Sequence, residues 1–226
     1  LNLKKNKWTF FGGVYSGSWY NPLSTNGKIQ YFTPLSYLVS SGSGKNNGYW
    51  LWGQGGIERE FAKDKAIGFE ASLGKGKWFN TENTVSNNLD ALGSLTSFYT
   101  QAKDREGMWQ NISGTLYFND KIANKGKELS GEVSYTDNDN NNTFNLLVQD
   151  YDFNSFPVNN TPLDQRDTTI PKSYNLNAQL DYVHPLSDIM KIEMGYKGTV
   201  RINDNEFSSD TLDYSTNNYV ENLSTQ

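Results

Sequence analysis

Few side chains in this chain are spaced for chemistry. Glu58 and Glu60 stand two residues apart, as do Lys191 and Glu193, so in an extended segment each pair projects from one face. Adjacent carboxylates suggest a general acid and base, because each raises the other's proton affinity. On the polar face of a strand the same spacing more often lines water. The single histidine, His184, precedes Pro185 in what reads as a short turn, and there is no cysteine. A metal site built from His and Cys, or a triad with His184 as its base, is therefore not expected. Asp137-Asn138-Asp139-Asn140-Asn141 opens like a calcium loop, but Asn142 and Val148 stand where an EF-hand needs Gly and Glu, so the segment reads as the apex of a polar loop. Gly53-Gln54-Gly55-Gly56 lacks the Lys-Ser/Thr ending of a phosphate loop and sits inside an alternating stretch. Trp50, Trp52 and Trp109 offer ring faces to a sugar or aromatic ligand, but at strand ends they fit a girdle or rim better. No catalytic residues, metal site or cofactor emerge, so no enzyme is expected.

The elements that would carry these residues are strands. Tyr174, Leu176, Ala178, Leu180 and Tyr182 alternate with Asn175, Asn177, Gln179 and Asp181; after His184-Pro185-Leu186-Ser187-Asp188, Met190, Ile192, Met194, Tyr196, Val200 and Ile202 alternate with Lys191, Glu193, Lys197, Thr199 and Arg201. This predicts a period-2 hairpin with one apolar and one polar face. A one-residue slip would exchange the faces and, in lipid, would move Lys191, Lys197 and Arg201 into hydrocarbon at roughly 2–4 kcal/mol each near the midplane. The alternation from Met190 to Ile202 is far longer than the modal soluble strand of about 5 or 6 residues. Tyr174 and Tyr182 are about 27 Å apart at roughly 3.3 Å per residue, which matches the apolar band of about 25 Å between aromatic girdles in outer-membrane barrels.

Other hairpins repeat the pattern. Tyr49, Leu51, Gly53, Gly55 and Ile57 form one row and Trp50, Trp52, Gln54, Glu58 and Glu60 the other; Ile67, Phe69, Ala71 and Leu73 return. A third pairs Ile112, Gly114, Leu116 and Phe118 with Leu129, Gly131, Val133 and Tyr135. Trp8–Tyr20 reads as a strand of uncertain parity. Short turns fall near residues 5, 63, 123 and 186, and between them lie polar stretches of about 25–35 residues, read as loops and much longer than the median of about 4–6 in compact soluble domains. Short connections at one end and long ones at the other predict an all-β, antiparallel transmembrane β-barrel section with short periplasmic turns and long extracellular loops, forming one domain over residues 1–226. The short turns carry lysines, Lys4, Lys5, Lys7, Lys63, Lys65, Lys121, Lys125 and Lys127, and the long stretches are rich in aspartate.

Composition agrees. A net charge of -5 and a pI near 5.0 argue against nucleic acid. A mean hydropathy of -0.71 does not oppose a membrane barrel, where only alternate residues meet lipid.

At Leu180-Asp181-Tyr182-Val183-His184-Pro185-Leu186 and Lys191-Ile192-Glu193-Met194-Gly195-Tyr196-Lys197 the chain resembles the TonB-dependent receptors, in their outer membrane protein beta-barrel branch. Phe118-Asn119-Asp120-Lys121 resembles that family's recurring turn, with Phe61-Ala62-Lys63-Asp64-Lys65 as a weaker copy. The resemblance implies an outer-membrane location and a barrel of 22 strands with a plug. It further implies uptake of a scarce nutrient (siderophore, glycan, peptide or vitamin) driven by the TonB system. Membrane lipid and lipopolysaccharide are then expected partners, and a surface lipoprotein is a candidate one. No plug sequence and no terminal aromatic strand are recognised here, so the chain is expected to be a section of a larger receptor. The lumen-facing candidates are Asp181, Lys191, Glu193, Lys197 and Arg201. The alternatives are a soluble extracellular β-sandwich that binds glycans through its Trp residues, a small closed eight-stranded outer-membrane barrel completed by residues 211–222 and, more weakly, an outer-membrane barrel enzyme.

Overall fold

The computed structural model describes residues 1–122, 126–187 and 189–222. Lys125, Asp188 and the chain's last four residues lie outside that range. The described residues form one antiparallel sheet in simple meander order: β1 (Asn2–Lys5), β2 (Trp8–Phe32), β3 (Leu35–Ala62), β4 (Lys65–Leu89), β5 (Leu95–Ile122), β6 (Lys127–Asp152), β7 (Leu163–Ser187), β8 (Met190–Asp213) and β9 (Asn218–Glu221). Strands β2 to β8 run 24 to 28 residues each, or about 80–90 Å at roughly 3.3 Å per residue.

The pairing register brings the alternating rows onto one face. Phe69 stands between Ile57 and Leu116, and Leu116 faces Val133; Val133 faces Ala178 and Leu176 faces Val200. Trp8, Phe10 and Val14 of β2 join this face through Arg59, Ile57 and Gly53, which fixes the parity that both mixed rows of Trp8–Tyr20 obscured. The apolar face is the exposed one. No apolar side chain is buried among the described residues, and Leu176, Leu180, Ile192 and Met194 keep 46%, 46%, 44% and 57% of their surface. No second layer covers them, so the soluble sandwich is not what forms. Along β4 the apolar residues Ile67, Phe69, Ala71 and Leu73 are exposed whereas Gly68, Gly74, Gly76, Thr84 and Ser86 are buried. Burial alternates with the pleat and in the sense opposite to a water-soluble sheet, where one face packs on an apolar core.

Correction comes in the polar stretches. They are not loops: the strands simply continue through them as paired arms, with β2 and β3 hydrogen-bonded from Trp8↔Arg59 up to Phe32↔Leu35. Backbone N–H and C=O groups must be satisfied, and an antiparallel ladder does this locally whatever the side chains are. The connections at the arm end are short: Thr33-Pro34, residues 90–94, 153–162 and 214–217. Aspartate starts three of these turns. Asp90 accepts from the Leu92 and Ser94 N–H groups at 2.9 and 2.8 Å, and Asp152 from Asn154 and Phe156 at 2.9 and 2.8 Å. Asp213 accepts from the Ser215 hydroxyl and N–H at 2.7 and 2.8 Å. The Ser215 and Thr216 hydrogen bonds hold the Asp213 carboxyl below the usual carboxylate range. A second correction concerns His184. It lies within β7, opposite Ile192, and its Nδ1 is 2.8 Å from the Tyr182 hydroxyl.

Candidate functional site on the inner face

The face opposite the apolar rows carries all five lumen-facing candidates and the three tryptophans. Asp181, Lys191, Glu193, Lys197 and Arg201 all share it, near the short-turn end and in the lower half of the sheet: Asp181 faces Gly195, Lys197 faces Gln179 and Arg201 faces Asn175. Most are engaged by neighbours. Lys191 pairs with Glu193 at 2.5 Å, the Gln179 amide donates to Asp181 at 2.7 Å, and Arg201 Nε donates to Asn175 Oδ1 at 2.7 Å. Gly195 leaves the space that Asp181 uses, since a Cβ there would sit 2.6 Å from its carboxylate oxygen. Glu58 and Glu60 share the face too, but each has its own donor: the Tyr117 hydroxyl at 3.0 Å and Lys4 at 3.2 Å. A carboxylate whose partner is fixed elsewhere is not poised as half of an acid and base pair.

The calcium-like run is also dispersed. In β6, Asp137 and Asp139 pair with Ile112 and Gln110 on the apolar side, whereas Asn138 and Asn140 pair with Asn111 and Trp109 on the inner side. Four ligands alternating between opposite faces cannot surround one ion, and the run is paired strand rather than loop apex. Among the described residues no cluster of His, Cys, Asp and Glu is arranged to hold a metal.

Trp50 and Trp52 of β3 and Trp109 of β5 do come together, two to four strands away from the nearer strand, β7, of the charged group. They stand on the inner face at the upper border of the apolar belt, so they rim the lumen side and do not belong to a lipid-facing girdle; Tyr49, Tyr135 and Tyr174 are exposed on that outer side. Each tryptophan lies on a glycine of the next strand. A methyl group on Gly74 would overlap the rings of both Trp52 and Trp109, one on Gly76 would come within 2.6 Å of Trp109 Nε1, and one on Gly17 within 2.7 Å of Trp50 Nε1. Sequence reading missed three further members: Tyr15, Trp19 and Trp78. Tyr15 faces Trp52; Trp19 lies over Gly48 and donates to Asn46 Oδ1 at 3.1 Å; and Trp78 lies over Gly107. The signal available was the small-and-aromatic alternation Tyr15-x-Gly17-x-Trp19 and Gly74-x-Gly76-x-Trp78, which apolar periodicity does not score. Beside them runs an amide ladder, with Asn111 Nδ2 donating to Asn138 Oδ1 at 2.6 Å and Asn138 Nδ2 to Ser173 Oγ at 3.2 Å.

A wet, partly charged inner face behind an exposed apolar belt is the arrangement of a wall that stands in lipid. Residues 120–226 match the family model described as the outer membrane protein beta-barrel family. The protein is an outer-membrane protein. Its sheet is an antiparallel transmembrane β-barrel wall. The matched residues include the 180–197 hairpin on which the resemblance rests and begin within the Phe118–Lys121 turn. No curated protein matches the chain.

Proposed function

We propose that this chain forms part of the wall of an outer-membrane receptor that takes up a scarce nutrient of the siderophore, glycan or peptide class, with energy from a TonB system. The observation that carries this is the inverted sheet: β2 to β8 keep a polar face from the arms, past the lipid belt, to the short turns, which makes a hydrated lane through the bilayer. Asp181, Lys191, Glu193, Lys197 and Arg201 line its lower half and would tune hydration and selectivity rather than catalyse. Lipid and lipopolysaccharide cover the outer face, a surface lipoprotein is a candidate partner at the arms, and nucleic acid is not a partner. Among the described residues the long edges Gly13–Phe32 of β2 and residues 190–208 of β8 have no strand beside them. A bilayer does not tolerate open ladder edges, so further strands complete the barrel in this reading.

The test is growth of a deletion strain under iron limitation, on oligosaccharides as carbon source, or on peptides as nitrogen source. A defect in one condition, restored by the gene and abolished in both strains by a protonophore, supports energised uptake; equal growth of mutant and parent in all three refutes it. A small closed barrel is the second reading, favoured by the fact that β2 and β8 each leave one edge open through the belt; because the two strands run in the same direction, they would close on each other as a parallel pair. In this fold β9 extends the β8 edge only at Asp210–Asp213, so closure within the belt would need β2 against β8 directly. With no native cysteine, engineered pairs on the outer face, such as Ser16→Cys with Val200→Cys, would crosslink within one chain only if that closure occurs.

A further inference from the structure

Just above the lipid belt, three consecutive rows of the inner face carry no formally charged residue across all seven long strands. On β2 to β5 they hold Tyr15, Trp19, Trp50, Trp52, Trp78 and Trp109, separated by the glycines on which the rings rest. On β6 to β8 they hold chiefly amides and hydroxyls, among them Asn138, Asn140, Asn142, Ser173 and Asn203. Charge returns immediately outside the band: Glu70 and Arg201 within two rows below it, Arg105 and Asp167 in the row above. In a chain with 20% charged residues, the band is a distinct chemical zone.

We propose that this band binds a neutral oligosaccharide, a ligand class that rests on the uptake reading above. A ring that occupies the space a Cβ would take on the facing glycine is held in place, so little side-chain freedom is left to lose on stacking. The apolar C–H faces of sugar rings match such platforms, and sugar hydroxyls match amides that both donate and accept. The side chains of Asn140 and Asn142 make no hydrogen bond to another described residue and are directed to the same face as Trp109 and Gly107. An anionic ferric chelate or a peptide terminus would instead call for an opposite charge in the band, because a buried charge without a partner is costly.

The test titrates intrinsic tryptophan fluorescence of the full-length protein in detergent with maltohexaose, cellohexaose and xylohexaose, and with hexagalacturonic acid as an anionic counterpart. At least one neutral hexasaccharide should shift the emission saturably, and Trp109→Ala should weaken its binding tenfold or more. Should Trp109→Ala fail to fold, Asn140→Ala with Asn142→Ala should weaken binding severalfold at unchanged melting temperature. The proposal is overturned if no neutral sugar shifts the emission, if only the anionic one does, or if these variants bind as well as the parent. Energised uptake that persists for a peptide or a ferric chelate while no hexasaccharide binds would reject the ligand class and leave the transport reading intact. Equal growth of the deletion strain in every condition would remove the transport reading whatever binds.

Discussion

The belt and the arms are built from one continuous ladder, yet they are held by different means. In the belt, apolar residues such as Phe69, Leu116 and Val133 face outward together and are stabilised by lipid. In the arms both faces meet water, and cross-strand polar contacts take over: Thr25 donates to Glu82 at 2.7 Å, Ser40 and Ser86 are 2.8 Å apart, and Lys77 reaches Glu106 at 3.1 Å. Identical backbone geometry is therefore compatible with two unrelated side-chain codes. Solvent on each face decides which code is written.

The largest effect should come from charging the belt. Leu116→Arg is expected to cost about 2–4 kcal/mol in urea unfolding from lipid vesicles, whereas Ala102→Arg on the same face of the β5 arm should change stability by less than about 0.5 kcal/mol. Equal costs would erase the distinction between the two regions. Next come the glycines. Gly74→Ala forces a methyl group into Trp52 and Trp109 and should cost about 1–3 kcal/mol. Gly27→Ala, in the β2 arm with nothing within 4 Å of the added carbon, should instead be neutral or stabilise by up to about 1 kcal/mol, measured the same way.

Smaller and confined to the arms is the response of the β8–β9 turn to acid. Asp213 has a folded pKa below its unfolded value of about 3.9, so its contribution is present above that value and is lost as pH falls through the folded one. The protection factor of the Ser215 amide should fall between pH 5 and pH 2, and Asp213→Asn should flatten that dependence; an unchanged protection factor in the parent would refute it. Smallest of all, Lys4→Ala breaks an ion pair whose side chains remain 59% and 44% exposed and should shift stability by about 0–1 kcal/mol, most simply seen as an unchanged melting curve at high salt.

The same division explains what the sequence disclosed. Where lipid lies on one side and water on the other, alternation must be strict, and the rows at Ile67–Leu73, Ile112–Phe118 and Tyr174–Ile202 were legible, with their faces and their charged partners. In residues 40–47 or 137–143 both sides are polar, so no period survives and paired strand looks like loop. The Trp site was half legible for a related reason. Trp50, Trp52 and Trp109 stood out by type, but their seats at Gly17, Gly74 and Gly76 are cross-strand relations, and those exist only once pairing is known.

From Trp8↔Arg59 to Phe32↔Leu35 the β2–β3 ladder has no break. The phase of the arm is thus dictated from below: lipid selects which side chains point out near Phe10, and each rung above inherits the choice. One residue inserted beyond the belt, between Tyr20 and Asn21, would leave membrane assembly intact and turn that arm inside out, presenting to the conduit a lining its composition alone does nothing to forbid.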